Sequence, residues 1–559
     1  MTGLLLSAVT IALVCGISRD AWIAWFAHPI RVERLGRMPA DTGHGVGLLR
    51  LAALAFAGGW LAIPPLLRRH ADRLPQPVRD ATSPRSARPA LLLTLITLLG
   101  LMLRVPRLFE SLWYDEIAAL ISSSLHGPGP ALGNYHALAN HALHSALVAI
   151  SLQTFGGHDA ELAIRLPAFL AGLACIPAMF QLGRTVDDDR LGLLAATVMA
   201  VMPIAVLESC EARGYAFMML FAILATTQWL RIADGRRAAI GWYAVTVAAG
   251  CWSHLVFACV PVGHAVVAAI NAARRPDLRP AAIAWTAALV LGAVTTLLVL
   301  APLVPGVLMQ RTEFIALDGD EPSVFGVEGL HAIWQLGGSW TWWAAIPGLG
   351  LLLFGLTETW RWPRLRLAAH AGLAGGVVCI VATIAGGSWL YARFLLFLAP
   401  PITLLLAAAV RGAGLFGRRA EPAILAGVAL LVAWNLDLMV LPPKQPIREG
   451  VDRVRTMVGA DGRAWSIGLG DDVAMFYSEG RGPTLVHAPN LGRDLDASAL
   501  EVGPDAAIML YPDLVSPDVV QALRDAGFRK IVHDEGWLDW GKGGVSVWGR
   551  GVERMENGQ

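Results

Sequence analysis

Apolar residues occur in this chain as long blocks rather than as alternating faces. From the first residues to about residue 441, stretches of Leu, Ala, Val, Ile and Gly follow one another with only short polar joins between them. A bilayer crossing needs roughly 20 mostly apolar residues. The pattern supplies about thirteen such segments: 4–17, 46–67, 90–106, 166–183, 191–207, 212–230, 239–253, 255–271, 281–304, 340–358, 367–386, 390–410 and 421–441. The first, seventh and eighth are short for a full crossing. From Lys444 onward the pattern becomes that of a soluble domain. Residues 463–470, 506–511 and 529–533 read as strands, and 447–458 and 516–526 carry helical spacing. The predicted fold class is mostly α: a polytopic membrane protein with about 13 transmembrane helices and a small C-terminal α/β domain. Three parts follow: an N-terminal membrane extension with a cytoplasmic loop (1–89), a transmembrane module (90–441) with a first external loop at 107–165, and the soluble domain (442–559).

Cytoplasmic loops hold the excess of Lys and Arg, and here arginines collect at 68–88, 184/190, 231/236/237, 274/275/279, 361/364/366 and 411/418/419. With the segments above, all six clusters fall on one side. That places the loops 107–165 and 305–339 and the C-terminal domain on the opposite, extracytoplasmic side. Residues 18–45 dissent, because Arg19, Arg31, Arg34 and Arg37 fall outside. The apolar start has no basic n-region and no small-residue cleavage site, so it reads as an anchor and not a signal peptide.

Composition agrees with this reading. The chain is 55% apolar and only 16% charged, with a mean hydropathy of +0.54, whereas soluble domains carry about 25% charge. A purely water-soluble enzyme is excluded, and a net charge of +1 argues against a nucleic-acid partner. The six cysteines, 15, 175, 210, 251, 259 and 379, all lie in or beside apolar segments and read as small buried hydrophobes, not as disulfides or a zinc site. In the soluble domain, Gly468, Gly470, Asp471 and Asp472 resemble a ligand loop only weakly, and a structural turn is the simpler reading.

Charged groups at the membrane boundary are costly and usually functional. The first such cluster is Leu112-Trp-Tyr-Asp-Glu-Ile117, where Asp115 and Glu116 stand beside Trp113 and Tyr114 at interface depth. Adjacent helical positions point about 100° apart, so the two carboxylates have different jobs. One can face a cavity as a base while the other binds a metal or fixes the local fold; two acids favouring a helix start is the plainer alternative. The second cluster is Leu207-Glu-Ser-Cys-Glu-Ala-Arg-Gly-Tyr215, with Glu208, Glu211 and Arg213 in an otherwise apolar external turn, and Glu211 and Tyr215 on one helix face. A local Arg–Glu pair would also account for it. The third is Ser388-Trp-Leu-Tyr-Ala-Arg393, which places Arg393 at the external end of a span, suited to a phosphate or, more plainly, to snorkelling. His136, His141 and His144 lie in the first external loop; His141 and His144 share a helical face, but no third ligand follows at metal spacing, and interfacial polar packing is the plainer reading. His254 falls at the break Cys251-Trp-Ser-His254, near the same boundary. The cytoplasmic Asp187, Asp188 and Asp189 read as a solvated turn.

In order, an aromatic-Asp-Glu motif at the start of a long external loop, Ala163-Ile-Arg-Leu-Pro-Ala168 before a Gly-rich span, Glu211-Ala-Arg-Gly-Tyr215, and Tyr391-Ala-Arg-Phe-Leu395 resemble the bacterial membrane glycosyltransferases of the GT-C superfamily. Within it the chain is similar to the protein O-mannosyltransferase-like group (dolichyl-phosphate-mannose-protein mannosyltransferase / ArnT-like). The resemblance covers about residues 90–410. Where many members carry Pro-Pro-Leu-Tyr-Tyr, this chain has Ala139-Asn-His-Ala-Leu-His-Ser145; a subset reads Asn-His-x-Leu there, and acceptor identity does not carry over from the protein mannosyltransferases.

The resemblance implies an inverting transfer of a sugar from a polyprenyl-phosphate donor to an acceptor hydroxyl on a glycan, lipid or protein, at the outer face of a bacterial cytoplasmic membrane. It implies Asp115 as the base, with Glu116 beside it, and Glu211, with Glu208, as the second acidic site. Arg393 and Arg213 would bind the donor phosphate, with Tyr114, Asn140, His141, Tyr215 and His254 in support. A divalent ion, Mg or Mn, held at Glu116 and Glu211 is a candidate cofactor. The rival readings are a lipid or glycan transporter or flippase, and an accessory protein acting through its external domain. A transporter places its charges near the midplane and shows repeated halves, whereas here the acids gather at one face and no repeat is evident. An accessory role leaves Asp115, Glu211 and Arg393 unused.

Overall fold

The computed structural model describes residues 2–69, 74, 87–136, 140–156, 160–314, 342–386, 392–414, 427, 443–468, 471–487, 500, 503–537 and 543–551. The chain forms two compact units. The first comprises Met1–Val105, His126–Ser151 and Arg165–Leu436; the second comprises Pro106–Leu125, Leu152–Ile164 and Asp437–Gln559.

The chain is a multi-pass membrane protein. Among the described residues, eight helices are long and apolar enough to cross: Ala40–Arg69, Ala87–Phe109, Glu161–Val186, Tyr215–Ala233, Leu255–Arg274, Arg279–Leu300, Pro363–Ala385 and Arg393–Ala413. Two sharply bent pairs, Gly3–Gly16 with Arg19–Phe26 and Asp189–Val201 with Pro203–Ser209, bring the total to ten. The expected thirteen are not confirmed. The predicted 239–253 segment is the 16-residue helix Ala238–Ser253, about 24 Å long at 1.5 Å per residue and short of the roughly 30 Å hydrocarbon core. The predicted 340–358 segment is the 17-residue helix Trp342–Glu358. The 421–441 segment lies outside the described residues except for position 427.

Within the first unit, one break shapes the functional end. Met202 precedes Pro203 and is extended at ψ 117°, as the proline ring requires of its neighbour, and a new helix starts with Pro203 at its first turn. The loosened carbonyls are met by Arg104, fully buried at the end of the Ala87–Arg104 helix. Its guanidinium donates to the Gly100 carbonyl at 2.9 Å, to Ala200 at 3.0 Å and to Ala205 at 3.5 Å. Deeper in the bundle, Trp229 stacks between Trp285 and His264, and the Trp285 Nε1–H donates to the Trp229 carbonyl at 2.9 Å. The Tyr243 hydroxyl meets His264 Nδ1 at 2.9 Å. Polar groups cut off from water must find partners of this kind, and these join four helices in one register. Gly263 admits a close helix crossing, since a Cβ there would lie 2.4 Å from the Ala371 carbonyl oxygen.

Of the dissenting arginines, Arg19, Arg31 and Arg34 sit in the short helices Arg19–Phe26 and Pro29–Leu35, and Arg37 in the bend after them. Arg31 pairs with Asp41 at 2.9 Å, and Arg19 donates to the Gly43 carbonyl at 3.4 Å. Phe26 is buried, and its carbonyl accepts from the Asn134 amide, so this segment is joined to residues 128–136. Nor are Asp187, Asp188 and Asp189 merely solvated. Arg411 pairs with Asp187 at 2.7 Å and Asp188 at 2.9 Å, and Arg184 pairs with Asp189 at 2.6 Å. Arg364 adds a pair with Asp234 at 2.7 Å.

The second unit holds a five-stranded sheet of order β2-β1-β3-β5-β4: β1 Arg463–Gly468, β2 Thr484–His487, β3 Ala506–Leu510, β4 Phe528–Asp534 and β5 Val545–Arg550. β1 pairs parallel with β2 and β3, while β5 pairs antiparallel with β3 and β4. Trp465, Ile467, Met509, Phe528 and Trp548 pack with Leu523 of the Pro517–Asp525 helix as its core. Three strands and both helices match expectation; β2 is too short to read from sequence, and β5 follows a Gly-rich run. Gly468 turns the chain at φ +99°, where a Cβ would strike the Leu510 carbonyl, so its role is a structural turn; Gly470 lies outside the described residues.

Candidate active site

In the second unit, Asp115 lies in the first turn of the helix Tyr114–Ser122. It is partly exposed, whereas Glu116 is fully buried. The Glu116 carboxylate accepts the Trp113 backbone N–H at 3.1 Å, reaching back from the third helical position to close the helix start. The two neighbouring acids are thereby divided, one fastening the helix and the other partly open to solvent. The segment leading in is held by the C-terminal residues. The Leu112 N–H donates to the Tyr477 hydroxyl at 2.7 Å, and the Tyr114 N–H to Gln445 Oε1 at 3.0 Å. Tyr477 donates to Glu161 at 3.2 Å, and Arg448 pairs with the same carboxylate at 2.5 Å. Trp113 is buried, with the Lys444 ammonium 3.6 Å from its ring centroid, and Tyr114 meets Tyr511 edge-on at 5.9 Å. Trp113 is thus a buried packing residue of this unit.

In the first unit, the other predicted residues converge. Glu208, Glu211 and Arg213 are all buried in the turn between Pro203–Ser209 and Tyr215–Ala233. Arg213 lies 5.8 Å from the Tyr215 ring centroid and hydrogen-bonds that side chain. His141, Tyr215 and His254 form a triangle of rings with centroids 4.6, 5.0 and 5.2 Å apart. Phe394, next to Arg393, stands 5.9 Å from His254, and the Arg213 and Arg393 charges both act on that imidazole. Burial foremost, then these two cations, pushes His254 down to about 3. Burial, with Arg213, His254 and His144, holds His141 well below the usual histidine range. Both rings are neutral at physiological pH. Arg393 itself sits on the 3-10 turn Ala392–Leu398, ahead of the helix Ala399–Ala413; the preceding Tyr391 is outside the described residues. Asn140 serves the loop, donating to the Ala131 carbonyl at 3.0 Å and to Asn134 at 2.7 Å.

A sequence profile described as dolichyl-phosphate-mannose-protein mannosyltransferase matches residues 141–303. Among solved structures, the chain is similar to ArnT from Cupriavidus metallidurans bound to undecaprenyl phosphate, at 13% identity and a TM-score of 0.52, covering 85% of this chain and 100% of that one. The apo state of the same protein matches at 14% identity and a TM-score of 0.51, covering 84% and 99%. An oligosaccharyltransferase from Archaeoglobus fulgidus, in complex with Zn and sulfate, aligns at 12% identity and a TM-score of 0.45, covering 75% and 68%. The chain shares its fold with these ArnT structures, and residues 141–303 match the mannosyltransferase profile. No curated protein matches it.

The profile-matched residues include His141, Arg213, Tyr215 and His254 of the ring-and-arginine cluster, together with Glu208 and Glu211. Asp115 and Arg393 lie outside the match. Among the described residues, no group of three or more His, Cys, Asp or Glu side chains is placed to hold a metal ion. One Glu116 oxygen is spent on the Trp113 amide.

Three residues of the site escaped the sequence reading. Tyr135 is within electrostatic reach of Arg213 and Tyr215, and burial pushes its phenol up to about 12; an aromatic beside the boundary histidines was its one signal. Gly214 is required, because a Cβ there would lie 2.4 Å from the Ser253 carbonyl oxygen and 2.7 Å from His141 Nδ1. Arg104 read as an ordinary span terminus, though Cys210, in the functional turn, donates its thiol to the Arg104 carbonyl at 3.3 Å.

Proposed function

We propose that the chain is an inverting glycosyltransferase, moving a sugar from a polyprenyl-phosphate donor to an acceptor hydroxyl at the outer face of the bacterial cytoplasmic membrane. The observation that carries the reading is the buried cluster of Arg213, Tyr215, His141 and His254 with Arg393 acting on it, at the boundary end of GT-C helices. Two cations beside neutral rings, away from bulk water, suit a compact anion on a lipid. The Cupriavidus metallidurans protein is bound to such a polyprenyl phosphate. In this reading Asp115 takes the acceptor proton as the hydroxyl attacks the anomeric carbon. The lipid phosphate leaves from the opposite face, and its growing charge is met by Arg213 and Arg393. Glu211 and Glu208 hold the turn that presents Arg213. The C-terminal domain, on the extracytoplasmic side, secures the Asp115 helix.

The test is donor turnover by the purified chain, supplied with radiolabelled polyprenyl-phosphate sugars and acceptor-bearing membranes. Release of polyprenyl phosphate that persists in EDTA is expected, because arginine charge supplies the stabilisation. Movement of intact donor across vesicles with no sugar released would assign the chain to transport.

A further inference from the structure

In the proposed reaction His254 is so far only a neutral ring of the cluster, yet its geometry fixes what it can offer. It ends the helix Ala238–Ser253 in an extended conformation, φ −160° and ψ 126°. Its Nδ1 accepts the Val256 backbone N–H at 3.2 Å. A neutral imidazole has one donor nitrogen and one acceptor, so acceptance at Nδ1 leaves the ring proton on Nε2. The ring is also held in place. His141, Tyr215 and Phe394 pack around it at 4.6, 5.0 and 5.9 Å. His141 hydrogen-bonds the Ser253 backbone on the residue before it, in the space that Gly214 leaves open. His141 is buried, whereas His254 keeps part of its surface exposed.

We infer that His254 is a third and uncharged donor of the phosphate subsite: its Nε2–H hydrogen-bonds an oxygen of the polyprenyl phosphate alongside Arg213 and Arg393, and it transfers no proton. The inference rests on the proposed function and gives the leaving group a protonation state. The acceptor oxygen bonds to the anomeric carbon, and the bond from that carbon to the phosphate oxygen breaks with its electron pair going to the phosphate. The acceptor's proton goes to Asp115, so the polyprenyl phosphate departs unprotonated. An uncharged imidazole N–H is too weak an acid to protonate it. A charged ring in that position would add a third cation beside two arginines. Burial and those arginines oppose it, holding the ring neutral.

The experiment uses the full chain in lipid nanodiscs, with undecaprenyl phosphate as the binding probe and donor turnover as the second readout. His254→Gln keeps a neutral N–H and is expected to bind within about threefold of the parent. His254→Ala is expected to weaken binding and raise KM about tenfold, the usual effect of losing a hydrogen bond to a charged group, with kcat changed less. Histidine 15N spectra of the parent should show a neutral, Nε2-protonated ring from pH 5.5 to 8. Gln failing as badly as Ala, an unchanged Ala variant, or a ring that titrates in that window would overturn the inference. Arg393→Ala separates the two readings. If the parent binds the probe, Arg393→Ala does not, and His254→Ala matches the parent, only the role of His254 falls. If the parent does not bind the probe at all, the proposed function falls with it.

Discussion

At residue scale, the Asp115–Glu116 pair shows how neighbouring acids take different work. Glu116 is spent on the Trp113 amide, so Glu116→Ala should cost about 1 kcal/mol of stability, as loss of a helix cap does, read as a lowered Tm of the purified chain. Asp115→Asn should keep Tm unchanged and lower turnover about 100- to 10,000-fold, the range for a lost general base. Gly214→Ala should abolish donor binding, since the new Cβ would collide with His141 and the Ser253 carbonyl. The histidines set a pH dependence. Their native pKa lies below the unfolded value, so the unfolded chain binds more protons as pH falls. Stability is therefore fully present above about 6.5 and declines as pH falls from there, for His254 toward its native value near 3 and for His141 toward a native value well below the usual range; thermal melts at pH 7.5 and 5.0 should show it falling. The charged members of the cluster were legible because charge at a membrane boundary is expensive. Gly214 and Tyr135 were not, because their importance lies in what packs against them, and sequence spacing does not carry that.

At element scale, the break at Met202–Pro203 shows what hydropathy conceals. The apolar pattern reads 191–207 as one span, and the structure bends it by 62° between Asp189–Val201 and Pro203–Ser209. Arg104 then supplies donors to carbonyls on both sides of the break. Arg104→Leu strands the Ala200 carbonyl in an apolar bundle, at about 1–3 kcal/mol for an unsatisfied buried group, while Arg104→Lys should recover part of the stability. The pairs formed by Arg411 and Arg364 are partly exposed and belong to a weaker class. Arg411→Ala should shift stability by less than about 1 kcal/mol and leave turnover unchanged. Span positions were largely readable, because block hydrophobicity is a strong signal. Their number was not, because helices such as Ala238–Ser253 are apolar yet short of a full crossing.

For the whole molecule, the second unit draws together pieces from far apart in sequence: the Asp115 helix, residues 152–164 and the C-terminal sheet domain. The sequence announced a separate soluble domain but not that it would hold the Ser111–Tyr114 segment through Tyr477, Gln445 and Arg448. Tyr477→Phe, which strands the buried Leu112 N–H, should lower turnover about tenfold while leaving donor binding intact, as measured by separate kcat and KM determinations. The most direct test of the whole account compares the parent chain with Asp115→Asn across a panel of radiolabelled polyprenyl-phosphate sugars. The account predicts that the parent transfers one of these sugars and releases the lipid phosphate, whereas the variant binds the same donor and transfers none. Equal turnover by both proteins, or no donor consumed by either, would contradict it.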